Sequence, residues 1–263
     1  MPRLKLTLEY DGTEYVGWQV QANGRSVQAV VERALSMLLQ ESVGVVAAGR
    51  TDAGVHALGQ VVSFRTDKAL PLKAYVLGMA SLLPDDVAVV AAEEVSEDFD
   101  PRRWALGKRY RYLINNRPVR SPLKRRTHWE IFQPLDVAGM AEGAAQLIGR
   151  HDFSAFRAAS CQATHAVREI TAVQVAGVPG GEIAITVEGT AFVKHMVRNI
   201  VGALVEVGRA KQPPLWIREV LESRDRMRAG PTAPAQGLTL IEVLYSAGPR
   251  ESAGVDTEDD DES

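Results

Sequence analysis

The order of periodic segments in residues 4–92 is the tightest constraint on what this chain can fold into. Leu4-Lys5-Leu6-Thr7-Leu8-Glu9-Tyr10 alternates with period two, the mark of a half-buried strand. Asp11-Gly12 ends it, and a loop runs through Gly17-Trp18-Gln19 and Asn23-Gly24, with Trp18 assigned to the core. Ser26 then caps a helix whose Val27, Val30, Val31, Ala34, Leu35, Leu38 and Leu39 recur with helical spacing. Two strand-like stretches follow, Gly44 to Ala47 and Val61 to Phe64. A second helix is expected from Pro71 to Leu83, and a further strand from Val87 to Ala92. Strand, helix, strand, strand, helix, strand is the split-βαβ, ferredoxin-like arrangement.

The rest of the chain repeats this outline without visible sequence repetition. Residues 107–114 form a strand with Tyr110, Tyr112 and Ile114 on one face and Arg109, Arg111 and Leu113 on the other. Asn115-Asn116-Arg117-Pro118 breaks it. A strand is expected from Thr127 to Phe132, a helix from Asp136 to Ile148, and a loop from His151 to Phe156. Val167 to Val175 and Glu182 to Val187 read as strands. A helix from Val193 to Val207 would turn its apolar side to the core and Lys194, His195 and Arg198 away from it. A helix opening at Pro213-Pro214 and a last strand from Leu238 to Tyr245 complete the order. The expectation is an α/β (α+β) fold of two ferredoxin-like (RRM-like) halves, 1–105 and 106–247, with antiparallel sheets joined edge to edge and a central catalytic cleft. Joining the sheets would hide two edges prone to aggregation. Residues 248–263 lack apolar content and are expected to be a disordered acidic tail.

Net charge is −3, which argues against a nucleic-acid binder until the distribution is read. Residues 251–263 hold seven acids and no base, so residues 1–250 carry 30 basic and 26 acidic side chains. Ten of the basic residues lie between Arg102 and Arg126. A basic stripe on a modest overall charge is the footprint of a phosphate-tracking groove, or else of a solubilising surface. The single cysteine, Cys161, excludes an intramolecular disulfide and a cysteine-based metal cluster, which suits a reducing cytoplasm. The first residues lack the apolar core of a signal peptide, and no stretch approaches a membrane span of roughly 20 apolar residues.

The chemistry concentrates in Ala48-Gly49-Arg50-Thr51-Asp52-Ala53-Gly54-Val55-His56-Ala57. Long ordered connections in compact domains are uncommon and often functional. Glycines bracket a carboxylate, Asp52, two residues after a guanidinium, Arg50, and an arginine beside an aspartate can clamp its ionised form. A bare Arg-x-Asp is an ordinary surface pair. An ordinary glycosidase needs a second placed carboxylate, and none has comparable context. Aspartic-protease chemistry needs a second such loop. A pure RNA-binding module needs aromatics exposed on a sheet, whereas aromatics make up 6% of the chain, and it leaves the bracketed Asp52 unexplained.

The string Gly49 to Ala57 resembles the active-site signature of the TruA family of tRNA pseudouridine synthases. The resemblance extends to about Tyr245. Tyr10-Asp11-Gly12-Thr13 with Tyr15-Val16-Gly17-Trp18-Gln19 is similar to the family's N-terminal pattern. Lys108-Arg109-Tyr110-Arg111-Tyr112 is similar to its tyrosine motif, Phe192 to Gly202 to its helix motif, and Ala233-Pro234-Ala235-Gln236-Gly237-Leu238 to its C-terminal signature. Lys194 and Thr239 depart from the common pattern, where arginine and an aromatic are frequent. The resemblance implies isomerisation of uridine at positions 38, 39 and 40 of the tRNA anticodon stem-loop, without cofactor or metal. It implies Asp52 as nucleophile, Arg50 and Arg198 holding it, and Tyr110 at the base and its C5 proton. Leu238, Arg109 and Lys194 would join Tyr110 in contacts to substrate. His56 is expected to pack the loop. Asp52 could add to ribose C1′ as an ester or remove a ribose proton on a glycal route, and both stay open. The resemblance further implies a cytoplasmic homodimer away from membranes.

Overall fold

A computed structural model describes residues 2–22 and 24–246; the tail expected at 248–263 lies outside them. The fold is mixed α/β and divides into two compact units at Leu106/Gly107, with the last strand grouping with the first unit from Leu240 onward.

In the first unit β1 (Arg3–Tyr10) pairs antiparallel with β3 (His56–Arg65) and with β4 (Val87–Val95). The strand order is β4-β1-β3-β10, where β10 is Leu238–Tyr245, and the short β2 (Val46–Ala47) also pairs with β3. The alternation read in the sequence is physical: Leu4, Leu6, Leu8 and Tyr10 are buried while their neighbours are partly or fully exposed. Helix α1 (Val27–Leu39) starts where the Ser26 side chain accepts from the Ala29 amide, 3.3 Å away. It buries Val27, Val31, Ala34, Leu35 and Leu39, the stripe a 3.6-residue period dictates.

The second unit pairs β5 (Ala105–Asn115) with β9 (Glu182–Gly189), β9 with β8 (Val167–Gly177), and β8 with β7 (Gly149–Asp152), all antiparallel. The two-residue β6 (Trp129–Glu130) runs parallel to β5. Helices α2 (Val137–Ala145), α3 (Met196–Gly208) and α4 (Trp216–Ser223) complete it. Helix α3 buries eleven of its thirteen residues, leaving Arg198 and Glu206 partly exposed. A helix apolar nearly all round sits inside its unit. At its centre Asn199, fully buried, donates to Phe156 O (2.7 Å) and accepts from Arg226 Nη2 (3.1 Å) and Thr232 Oγ1 (2.6 Å). Arg226 also donates to Gly230 O at 2.7 Å. This network straps residues 230–233 onto α3.

Several local expectations are corrected. The helix expected from Pro71 to Leu83 is a short helical stretch whose centre, Ala74–Gly78, is a π-type turn, followed by turns that carry the chain to β4. The strand expected from Thr127 to Phe132 shrinks to Trp129–Glu130, because only those residues find a ladder partner. His151 to Phe156 is not all loop: β7 takes His151 and Asp152, and a 3₁₀ turn takes Ser154–Phe156. Lys194 and His195 precede α3 rather than lying on it, since His195 adopts a left-handed φ of 62° that no helix continues. Trp18 is core, as expected. Among the described residues no helix is long and apolar enough to cross a membrane.

Replacing Asn199 by Ala removes the donor to the Phe156 carbonyl and the acceptor shared by the Thr232 hydroxyl and Arg226 Nη2, which keep, among the described residues, only their bond to each other at 2.8 Å and that of Arg226 Nη1 to Gly230 O. Unsatisfied buried polar groups cost roughly 1–3 kcal/mol each, so Asn199→Ala is expected to lower unfolding stability by about 2–4 kcal/mol in urea titration. Exposed Glu222→Ala should change it by less than about 0.5 kcal/mol.

Candidate active site

Residues 48–55 connect β2 to β3. A connection of this kind keeps one shape only if its backbone polar groups find partners. Here they do. The Ala48 amide donates to Val61 O (2.9 Å), and the Gly49 carbonyl accepts from Gln60 Nε2 (2.9 Å). The Thr51 carbonyl accepts from the Trp18 amide (3.0 Å), the Asp52 carbonyl from the Val55 amide (3.1 Å), and the Gly54 amide donates to Tyr15 O (3.3 Å). Gly17 forms an antiparallel bridge with Asp52. Only glycine serves at that point: φ is +113°, and a Cβ would sit 2.7 Å from Thr51 O.

Three buried side chains lock the loop from beneath. The Tyr10 hydroxyl meets Thr51 Oγ1 at 2.8 Å. Gln60, fully buried on β3, spends its carbonyl oxygen on the Val61 amide (3.1 Å) and its amide on Gly49. His56 is buried, and its Nδ1 accepts from the Gly12 amide at 3.1 Å and stands 3.1 Å from Asp11 Oδ1. Its place is loop packing, as expected. Above this support Asp52 is half-buried and Arg50 exposed. The result is a carboxylate on a rigid backbone with a guanidinium two residues away, fit for nucleophilic attack or proton removal.

In the second unit the other candidate residues cluster around β5, α3 and the 230–237 strap. Tyr110 is buried and stands edge-on to Phe192, ring centroids 5.1 Å apart. Arg198 Nε donates to Ala233 O at 2.8 Å, and the Ala233 amide returns a bond to Arg198 O at 3.1 Å. Tyr112, fully buried, donates from its hydroxyl to Pro234 O at 2.7 Å. Burial pushes the Tyr112 hydroxyl well above its usual range, and the nearby Arg198 guanidinium offsets part of that rise. Gly237 lies so close that a Cβ there would meet the Tyr112 ring at 2.4 Å. Leu238, buried, follows directly. The tyrosine, helix and C-terminal motifs read separately in the sequence are thus physically tied together.

Two candidates for substrate contact stand apart. Arg109 is paired in the sheet with Glu188 and binds it through both Nε (2.9 Å) and Nη2 (2.8 Å). That pair lines a cavity of about 260 Å³ with Arg111, Gln174 and Thr186. Lys194 is exposed just before α3, where its carbonyl accepts from the Ala158 amide at 3.0 Å. The sequence reading missed Gln60, Tyr112 and Asn199 as supports. For Gln60 the available signal was a polar residue directly before the apolar pair Val61-Val62, and for Asn199 one directly before Ile200-Val201.

Comparison with known proteins comes to one family. A family described as tRNA pseudouridine synthase matches residues 7–102 and 144–246. A Myxococcus xanthus protein named tRNA pseudouridine synthase A is 62% identical over 264 residues, covering 100% of both chains. Proteins of the same name from Pelobacter propionicus and Geotalea uraniireducens are 50% and 47% identical over 245 residues, covering 93% of this chain and 100% of each relative.

The lock under the Asp52 loop has a pH signature. Burial pushes the Tyr10 hydroxyl from 10.0 up to about 12. The folded state prefers the neutral phenol, so this contribution is complete below pH 10.0, and is lost as pH rises through about 12. Denaturant midpoints measured from pH 9 to 11.5 should fall for the wild type. Tyr10→Phe should start about 1 kcal/mol less stable and fall less steeply.

Proposed function

The chain belongs to the tRNA pseudouridine synthase family, and from that membership we propose that it isomerises uridines 38, 39 and 40 of the tRNA anticodon stem-loop with Asp52 as the nucleophile. The observation that carries this reading is the loop itself: the motif Gly49 to Ala57, with Asp52 held half-buried on a backbone bonded at Gly49, Thr51, Asp52 and Gly54. Pseudouridine formation breaks the bond from uracil N1 to ribose C1′ and rebuilds it through C5. Atoms and oxidation state balance within the nucleoside, so the step calls for a placed carboxylate and a held base rather than an outside reactant.

Asp52 adds to C1′ as the N1–C1′ bond breaks and uracil leaves with the electron pair; or it takes a ribose proton and opens a glycal route. In both the uracil turns and C5 bonds to C1′: on the first route this displaces the Asp52 carboxylate from C1′, on the second Asp52 returns the ribose proton it took; the C5 proton is then lost while N1 gains one. Arg50 and Arg198 are assigned to hold and orient the Asp52 carboxylate. Tyr110 is assigned to the uracil face and to removal of the C5 proton, and Leu238 to the wall of the base pocket. Their motif positions support these roles, as do the bonds that fix Arg198 and Tyr112 to the strap preceding Leu238. Lys194, exposed, and Arg109 are assigned to the RNA; Arg109 reaches it by sharing or leaving Glu188.

The wider reading belongs to the same proposal: two ferredoxin-like halves with joined sheets and a central cleft, a homodimer, and a cytoplasmic location. The order β4-β1-β3 with β2 on β3, from the chain order strand, helix, strand, strand, helix, strand, supports the first half of it. A target uridine in a stem must leave its stack at a cost of a few kcal/mol, which cationic contacts to the flanking backbone offset.

The test is tritium release from tRNA labelled at uracil C5. Wild type should release it, and Asp52→Ala should lose more than about 10³-fold in rate while binding the same RNA. Release by both would move the nucleophile elsewhere. Binding without release by the wild type would sink the isomerase reading.

A further inference from the structure

The connection from β5 to β6 is longer than its two-residue partner strand needs, and it is built rather than loose. Its ends are pinned by the parallel pairing of Ile114 with Trp129 and Asn115 with Glu130. Buried Asn116 clamps its base, donating to Ile131 O (2.8 Å) and Gln133 O (2.7 Å) and accepting from the Leu135 amide (3.1 Å). Within the loop the amides of Thr127 and His128 both donate to Lys124 O at 3.0 Å. Pro118 and Pro122 fix two further φ angles.

The two acids beside this loop are each bound to a group other than its arginines. Glu130 Oε1 accepts from the Ser121 amide at 2.5 Å. Glu182 Oε2 takes Lys124 Nζ and His128 Nε2, the latter at 2.9 Å, and these partners hold its carboxyl below the usual carboxylate range. Arg117, Arg120 and Arg125 are exposed and, among the described residues, form no ion pair or hydrogen bond through their side chains. Three uncompensated guanidinium groups on one clamped loop form a preorganised anion surface, and the planar fork of arginine suits phosphate oxygens better than a lysine ammonium does. Leu123, 95% exposed, stands among them.

We propose that the loop between β5 and β6 binds the sugar-phosphate backbone of the RNA substrate through Arg117, Arg120 and Arg125. The proposal rests on the RNA-modifying reading above, and deepens it by giving three residues outside the motifs a share of substrate affinity. Rigidity favours RNA over a lipid surface: a clamped loop presents fixed cations to a fixed phosphate track, and little ordering entropy is lost on binding.

The test compares the full-length wild type with the triple variants Arg117→Gln/Arg120→Gln/Arg125→Gln and Arg117→Lys/Arg120→Lys/Arg125→Lys. Binding of unmodified tRNA is measured from 0.05 to 0.5 M salt, with melting temperature as the folding control. Each phosphate contact adds roughly 0.7–0.9 to the slope of log affinity against log salt. The Gln variant is expected to lose about 2–3 from that slope, and about 100-fold in affinity at 0.1 M salt, while the Lys variant keeps most of the slope. An unchanged slope in the Gln variant overturns the proposal. So does equal loss in both variants, which would assign the effect to loop shape. Loss of binding to phosphatidylserine vesicles with tRNA binding intact overturns it in favour of a lipid surface. Tritium release by the wild type is read in the same preparation. Its absence, with the loop's share of the salt slope intact, sinks the isomerase reading and leaves the RNA contact standing.

Discussion

A backbone that turns back between two strands exposes amides and carbonyls that no ladder satisfies, and each buried one left unpaired costs as much as a lost hydrogen bond. The 48–55 connection draws backbone partners from two separate stretches, Tyr15 to Trp18 in the loop after β1 and Gln60 with Val61 on β3, while Tyr10 of β1 holds the Thr51 side chain. The consequence is a division of labour. Groups beneath the loop are buried and committed to holding it, while Asp52 is left half-buried on top. The backbone that carries Asp52 is thereby held by partners outside the loop, the kind of support that pre-organised chemistry requires.

The second unit uses the same device with different parts. Arg198 sits on a helix buried nearly all round, so its direction is set by packing rather than by solvent. Its Nε is then spent on the Ala233 carbonyl, which orients the guanidinium. Asn199, one residue on, holds the far side of the same strap through Thr232 and Arg226. Substitutions at Asn199 would therefore disturb Arg198 and Leu238 together, since one strap connects all three.

What could be read from the sequence follows physical range. The strand β1, the helix α1 with its Ser26 cap and the strand β10 were legible because each rests on local periodicity and a local cap. The π-type turn at Ala74–Gly78 was not, because the apolar spacing of Tyr75, Val76 and Met79 suits an α-helix equally well. The start of α3 was missed by three residues because His195 takes a left-handed φ, a conformation that histidine tolerates but does not announce. Among the candidate residues, Asp52, Arg50, Tyr110 and Arg198 stood out through contiguous motifs. Gln60 and Tyr112 did not, because their roles depend on partners distant in the chain, Gly49 and Pro234.

Charge shows the same limit most sharply. In the sequence the run from Arg102 to Arg126 is a single basic stripe, and every member counts equally. The structure sorts it. Arg109 is paired with Glu188 across the sheet, and Lys124 with Glu182, so each of these cations has an acidic partner within the protein. Arg117, Arg120 and Arg125 have no acidic partner among the described residues; of the two acids beside their loop, Glu182 is paired with Lys124 and Glu130 is bonded to the Ser121 amide. A phosphate sees the uncompensated charges at close range, within a Debye length of about 10 Å at 0.1 M salt, and not the net −3 of the chain. The quantity that governs affinity for a polyanion is therefore the number of cations left unspent at one surface, and that number depends on pairings made across strands, which a count along the chain does not contain.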